Sequence, residues 1–75
     1  MAAAYVFIEV SASDLDKLVI ELRRIPAVKQ AHLLLGPTDA IAYVECADDT
    51  ALRATIHAIR DVSGVIHTDT RYVYA

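Results

Sequence analysis

A chain of 75 residues allows one domain, residues 1–75, and buries only about 60% of its unfolded surface on folding, so its core alone is marginal. A single cysteine, Cys46, excludes an internal disulfide, and no paired metal-ligand spacing takes its place, which leaves oligomerisation as the remaining source of stability. The net charge of −3, with seven scattered basic residues, excludes a clustered basic face for nucleic acid, while an apolar fraction of 56% predicts surface covered by another subunit.

The N-terminal stretch MAAAYVFIEV has neither the basic region of a signal peptide nor the length of a membrane span, so a cytoplasmic protein is expected. Residues 3–10 are β-branched and aromatic and read as a strand. Both of its faces are largely apolar, which predicts helices over one and a second cover over the other. SASDLDKLVIELRRI then reads as a helix, with Ser13 as cap and Asp14 and Asp16 in the first turn. Leu15, Leu18, Val19, Leu22 and Ile25 form its buried stripe, Ile20 falls outside it, and Pro26 ends the run.

Residues 27–35, AVKQAHLLL, form the second expected strand and DAIAYVECA the third. In the third, Ala40, Ala42, Val44 and Cys46 make a small-residue face for helix packing, opposite Ile41, Tyr43 and Glu45. DDTALRATIHAIRDVSG is the second helix, capped by Asp48 or Asp49, with Leu52, Thr55, Ile56 and Ile59 inward and Gly64 as stop signal. VIHTDTRYVYA is the last strand.

The order strand, helix, strand, strand, helix, strand defines an α+β, ferredoxin-like βαββαβ arrangement: a four-stranded antiparallel sheet with both helices on one face. Period-two alternation places Tyr5, Phe7, Tyr43, Tyr72 and Tyr74 on the other face. Each aromatic removes roughly 150–250 Å² from water when buried, so stacking two such faces as a dimer would supply the stability that the small core lacks.

Gly36-Pro37-Thr38-Asp39, between the middle strands, has two readings. As a hairpin turn, Gly supplies permissive dihedrals, Pro a fixed φ and Asp a local hydrogen bond. As a binding loop, the carboxylate suits an ammonium group and the glycine backbone suits a carboxylate, which together suit a zwitterionic amino acid.

RIPAVKQAHLLLGPTDAIAYVEC carries Ile-Pro-x-Val and then Gly-x-x-Asp, and IRDVSGVIHTDTRYV carries Gly-Val followed by Thr-x-Thr. In this order and spacing the whole chain resembles the RAM domain, the amino-acid-sensing part of Lrp/AsnC-type (feast/famine) transcriptional regulators. Because no helix-turn-helix precedes Ala2, the resemblance is to a stand-alone RAM domain.

The resemblance implies dimeric α+β barrel association, further assembly into octamers or decamers, and small amino acids bound between dimers near the Gly-x-x-Asp loop. It implicates Gly36 and Asp39 as ligand-binding residues, with Thr68, Thr70 and Arg71 on the last strand as further candidates. The position before the aspartate is often aromatic in the family and is Thr38 here, while Pro37 offers no N–H donor.

His32, His57 and His67 have no partners at a metal-ligand spacing, so no metal or cofactor is expected. His67, Asp69 and Arg71 share a strand face, as a small polar site or, preferably, as a salt-bridged rim at a subunit contact. Cys46 reads as a small buried hydrophobe.

Three functions fit these observations. The leading one is an amino-acid-binding effector module, a homo-oligomer that does not contact DNA directly and modulates transcription through a helix-turn-helix relative. The others are a peptide-binding, chaperone-like module of the same topology and a small dimeric ferredoxin-like enzyme. The enzyme is disfavoured because few polar groups converge beside the sheet.

Overall fold

The computed structural model describes residues 1–11, 13–36 and 39–74. The elements are β1 (Ala2–Val10), α1 (Leu15–Arg23), β2 (Val28–Leu33), β3 (Ala40–Cys46), α2 (Asp49–Arg60) and β4 (Val65–Tyr72). The strands form one sheet in the order β2-β3-β1-β4, and every neighbouring pair is antiparallel. This is the expected ferredoxin-like arrangement, with both helices over one face.

Alternation in the two central strands builds the core. Ala4, Val6 and Ile8 of β1 and Ala40, Ala42 and Val44 of β3 are fully buried beneath the helices. Alanine at three of these six positions lets the helices approach the sheet closely, and Leu18 and Leu22 of α1 and Leu52 and Ile59 of α2 fill the layer above.

Both helices are capped by aspartate. Asp48 accepts from the Ala51 N–H at 2.8 Å, and Asp14 accepts from the Lys17 N–H at 3.0 Å. The cap of α1 is therefore Asp14 rather than Ser13; the helix begins one residue later than the sequence suggests, and Leu15, in its first turn, is exposed. At the other end of α1 the Arg23 guanidinium donates to the Ala31 carbonyl through Nε (3.0 Å) and Nη2 (2.8 Å), tying the helix to edge strand β2.

Each edge strand carries one inserted residue near its start. Against β3, Val28 pairs with Val44 and Gln30 with Tyr43, so Lys29 is the extra residue. Against β1, Val65 pairs with Val10 and His67 with Glu9, so Ile66 is extra. A one-residue insertion sends every later side chain to the opposite face.

The bulge in β4 corrects the expected position of two aromatics. After Ile66, Thr68, Thr70 and Tyr72 pair with Ile8, Val6 and Ala4, residues that face the helices. Tyr72 is thus on the helix-bearing face, and Tyr74 lies beyond the end of β4, fully exposed. Neither joins Tyr5, Phe7 and Tyr43 on the open face. β2 also ends two residues earlier than expected, at Leu33, and the Leu34 N–H just beyond it donates to the Asp39 carbonyl at 2.9 Å.

In urea denaturation, Leu52→Ala should destabilise the fold by about 2–5 kcal/mol, because it empties a fully buried position. Asp48→Ala, which removes only a cap, should cost about 0.5–2 kcal/mol.

Candidate functional site

The Gly36–Asp39 loop closes the β2–β3 hairpin at one end of the sheet. Gly36 has φ of 127°, a conformation that side chains rarely adopt, and a Cβ there would meet nothing within 4 Å. Its glycine is required by the backbone, not by crowding. Pro37 and Thr38 lie outside the described residues.

Asp39 is half-buried, and its Oδ2 accepts the Val10 N–H at 3.0 Å across 29 residues of sequence. The reason is local. Pairing between β1 and β3 ends at Ile8 and Ala40, so the Val10 amide has passed the last β3 partner and takes the side chain instead. Asp39 therefore straps the start of β3 to the end of β1, which fixes a carboxylate at this end of the sheet.

The second set of polar groups is on the open sheet face. At the β4 edge Arg71 grips Asp69 through Nε (3.1 Å) and Nη2 (2.9 Å) to Oδ2, with its guanidinium 5.7 Å from the centre of the Phe7 ring. The same pair holds the Asp69 carboxyl below the ordinary carboxylate range and the Arg71 guanidinium above its ordinary value. Glu9 and His67, directly opposite each other, complete a concavity of about 290 Å³ with Phe7, Asp69 and Arg71.

Over the middle of the face Tyr5 and Tyr43 tilt against each other, with ring centres 4.9 Å apart. The Tyr43 hydroxyl donates to Glu45 Oε2 at 2.8 Å, and that hydrogen bond raises its pKa above the ordinary phenol value. His32, Gln30 and Ile41 border these rings around a smaller hollow of about 110 Å³. A wider groove of about 360 Å³ beside the N-terminus of α1 is lined by Ser11, Ser13, Asp14 and Lys17, all exposed, and Asp14 there is already engaged as the cap.

The five expected ligand residues do not meet within one chain. Gly36 and Asp39 are together at the hairpin end. Thr68 is buried on the helix side, where its Oγ1 accepts from Arg60 Nε at 3.1 Å, and Thr70 is half-buried on that same side. Arg71 is on the open face, opposite Tyr5. His32 escaped notice as a member of this face because unbroken alternation from Val28 would turn it inward; only the bulge at Lys29 turns it out. Among the described residues no group of three or more His, Cys, Asp or Glu could hold a metal ion, and no helix is long and apolar enough to cross a membrane.

The family model of the Lrp/AsnC ligand binding domain matches residues 3–75. No curated protein matches the chain. Among solved structures, a protein of Thermus thermophilus superposes with a TM-score of 0.90 at 25% identity, over 100% of this chain and 95% of that one. A hypothetical protein of Pyrococcus horikoshii superposes with the same score and identity, over 100% and 92% of the two chains. A transcriptional regulator of Neisseria meningitidis, solved in complex with L-Met, shares the fold with a TM-score of 0.83 at 17% identity, over 99% of this chain and 50% of that one.

The fold is thus that of the Lrp/AsnC ligand-binding domain. The chain belongs to the Lrp/AsnC ligand-binding-domain family.

The Asp69–Arg71 pair generates a pH prediction with a definite sign. A carboxyl whose folded pKa is depressed contributes stability that is present above the unfolded value, about 3.9, and lost as pH falls through the folded value. In acid titrations followed by circular dichroism, the wild type should lose stability more steeply below about pH 4 than Asp69→Asn, which has no carboxyl to titrate.

Proposed function

We propose that residues 1–75 form an amino-acid-binding effector module that works as a homo-oligomer and influences transcription through a helix-turn-helix protein, with no nucleic-acid contact or catalysis of its own. The observation that carries this reading is the position of Asp39: a half-buried carboxylate, strapped to β1, three residues after the positive-φ Gly36 in a member of a ligand-binding family. In this reading the Asp39 carboxylate receives the ligand's ammonium group, and backbone N–H groups of the loop receive its carboxylate. The Neisseria regulator solved with L-Met supports an amino acid as the ligand class.

Thr68 and Thr70 are on the helix side of β4 and Arg71 is on the open face, so in this reading they enter a site only where subunits meet. Tyr5, Phe7 and Tyr43 form the core of a sheet-on-sheet dimer. Tyr5 is 47% exposed, Phe7 and Tyr43 are half-buried, and both helices are on the far side of the sheet. Covering this aromatic surface offsets the small size of the monomer's core.

Calorimetric titration of the twenty amino acids into the wild type, Asp39→Asn and Asp39→Ala tests the assignment. Asn keeps an acceptor for the Val10 N–H while removing the charge, so its fold should persist, and affinity for the bound amino acid should fall about tenfold or more. Asp39→Ala, which also leaves the Val10 amide unpartnered, should lose stability as well. Unchanged affinity in Asp39→Asn would move the site elsewhere. No heat with any amino acid would remove the amino-acid reading.

A further inference from the structure

The sheet ends on two edge strands, β2 and β4, and they are finished differently. On β2 the Leu34 N–H donates toward β3, so by alternation the Ala31 backbone points to the free edge, where the Arg23 guanidinium already occupies its carbonyl. The bulge at Lys29 interrupts the start of the same strand. A bulge, a lysine and a covered carbonyl keep an edge from pairing further.

The β4 edge has no such cover. The Val73 N–H donates to the Ala3 carbonyl at 2.9 Å, and in the register of β4 on β1 the backbones of Arg71, Asp69 and His67 point the same way, toward β1. Those of Thr68, Thr70 and Tyr72 therefore point to the free edge, and among the described residues nothing pairs with them. Beyond Ile66 the strand has no further bulge, proline or lysine, and threonine and tyrosine favour the extended chain.

We infer that β4 pairs edge to edge with β4 of a second copy of this chain, antiparallel about a two-fold axis at Thr70, so that the two sheets become one continuous sheet. This contact uses the edge of the sheet and does not rest on the stacking of open faces proposed above.

The sequence of the strand selects both the partner and the register. With the axis at Thr70, Thr68 is opposite the partner's Tyr72, and these outward-pointing residues make the hydrogen-bonded pairs of the new ladder. Asp69 then falls opposite the partner's Arg71 in a non-hydrogen-bonded pair, where side chains of adjacent strands come closest. Both residues are exposed on the open face, so each carboxylate gains a second guanidinium across the axis besides the one on its own strand. Moving the axis by one residue, to Asp69 or to Arg71, sets like charges opposite each other, which disfavours the neighbouring registers. On the helix side the pairing brings the Tyr72 ring, 61% exposed in the single chain, beside the partner's Thr68, whose hydroxyl accepts from Arg60.

Sedimentation equilibrium of the whole chain tests this with two kinds of variant. Thr70→Pro removes an N–H that points to the free edge and breaks no bond to β1, so the circular dichroism spectrum and urea midpoint should stay near those of the wild type while the assembly mass falls by half. Asp69→Arg alone and Arg71→Asp alone each set like charges across the axis and should weaken association about tenfold or more. Mixed in equal amounts, these two variants restore both opposite-charge pairs and should associate as heterodimers with near wild-type affinity. If Thr70→Pro fails to fold, the mixture decides the question alone.

Thr70→Pro at the wild-type mass, or a mixture that associates no better than either charge variant by itself, overturns the edge pairing and leaves the stacked dimer standing. A wild type that is monomeric at every concentration overturns both.

Discussion

The facing of both edge strands depends on one backbone device used twice. Each edge strand follows a helix and a short turn, begins with a valine directed into the core, Val28 or Val65, and then inserts one unpaired residue, Lys29 or Ile66. The insertion reverses the alternation, so that Ala31 and Thr68 turn toward the helices and His32, Asp69 and Arg71 turn to the open face. Without it the charged residues of β4 would lie under α2, where an ion pair costs more in desolvation than it returns. The repetition matches the likeness between PAVKQAH and SGVIHTD, so the two halves of the chain solve the same packing problem in the same way.

Asp39 shows how a turn residue comes to be fixed by the strand beside it. Its carbonyl closes the hairpin on Leu34 and its carboxylate takes the Val10 amide, both of which are structural tasks. The same bonds fix a carboxylate at the sheet end with little freedom left to lose on meeting a cation, which is what preorganisation means for a binding site. The turn reading and the ligand reading are therefore complementary, because the first supplies the rigidity that the second requires.

The sheet keeps three features in separate places: aromatic rings in the middle of its open face, a charged edge beside them and the Gly36–Asp39 hairpin at its end. The core supports all three through the central strands, whose alanines let the helices close over one face and leave the other free.

How much was legible in the sequence follows from how local each signal is. The helices were readable from their periodicity, their aspartates and the stop signals that follow, and the central strands from strict alternation; the order of these elements was enough to determine the sheet and its helix-covered side. The Gly-x-x-Asp motif was likewise visible, because a glycine at positive φ and an aspartate at a hairpin leave their mark in neighbouring residues. What only the tertiary structure decided is the facing of the edge strands and the partner of Asp39. A bulge is defined by the strand opposite, so Tyr72 and His32 could be assigned to a face only once β1 and β3 were in place. The bond from Val10 to Asp39 joins residues 29 positions apart, a distance over which no local pattern carries information.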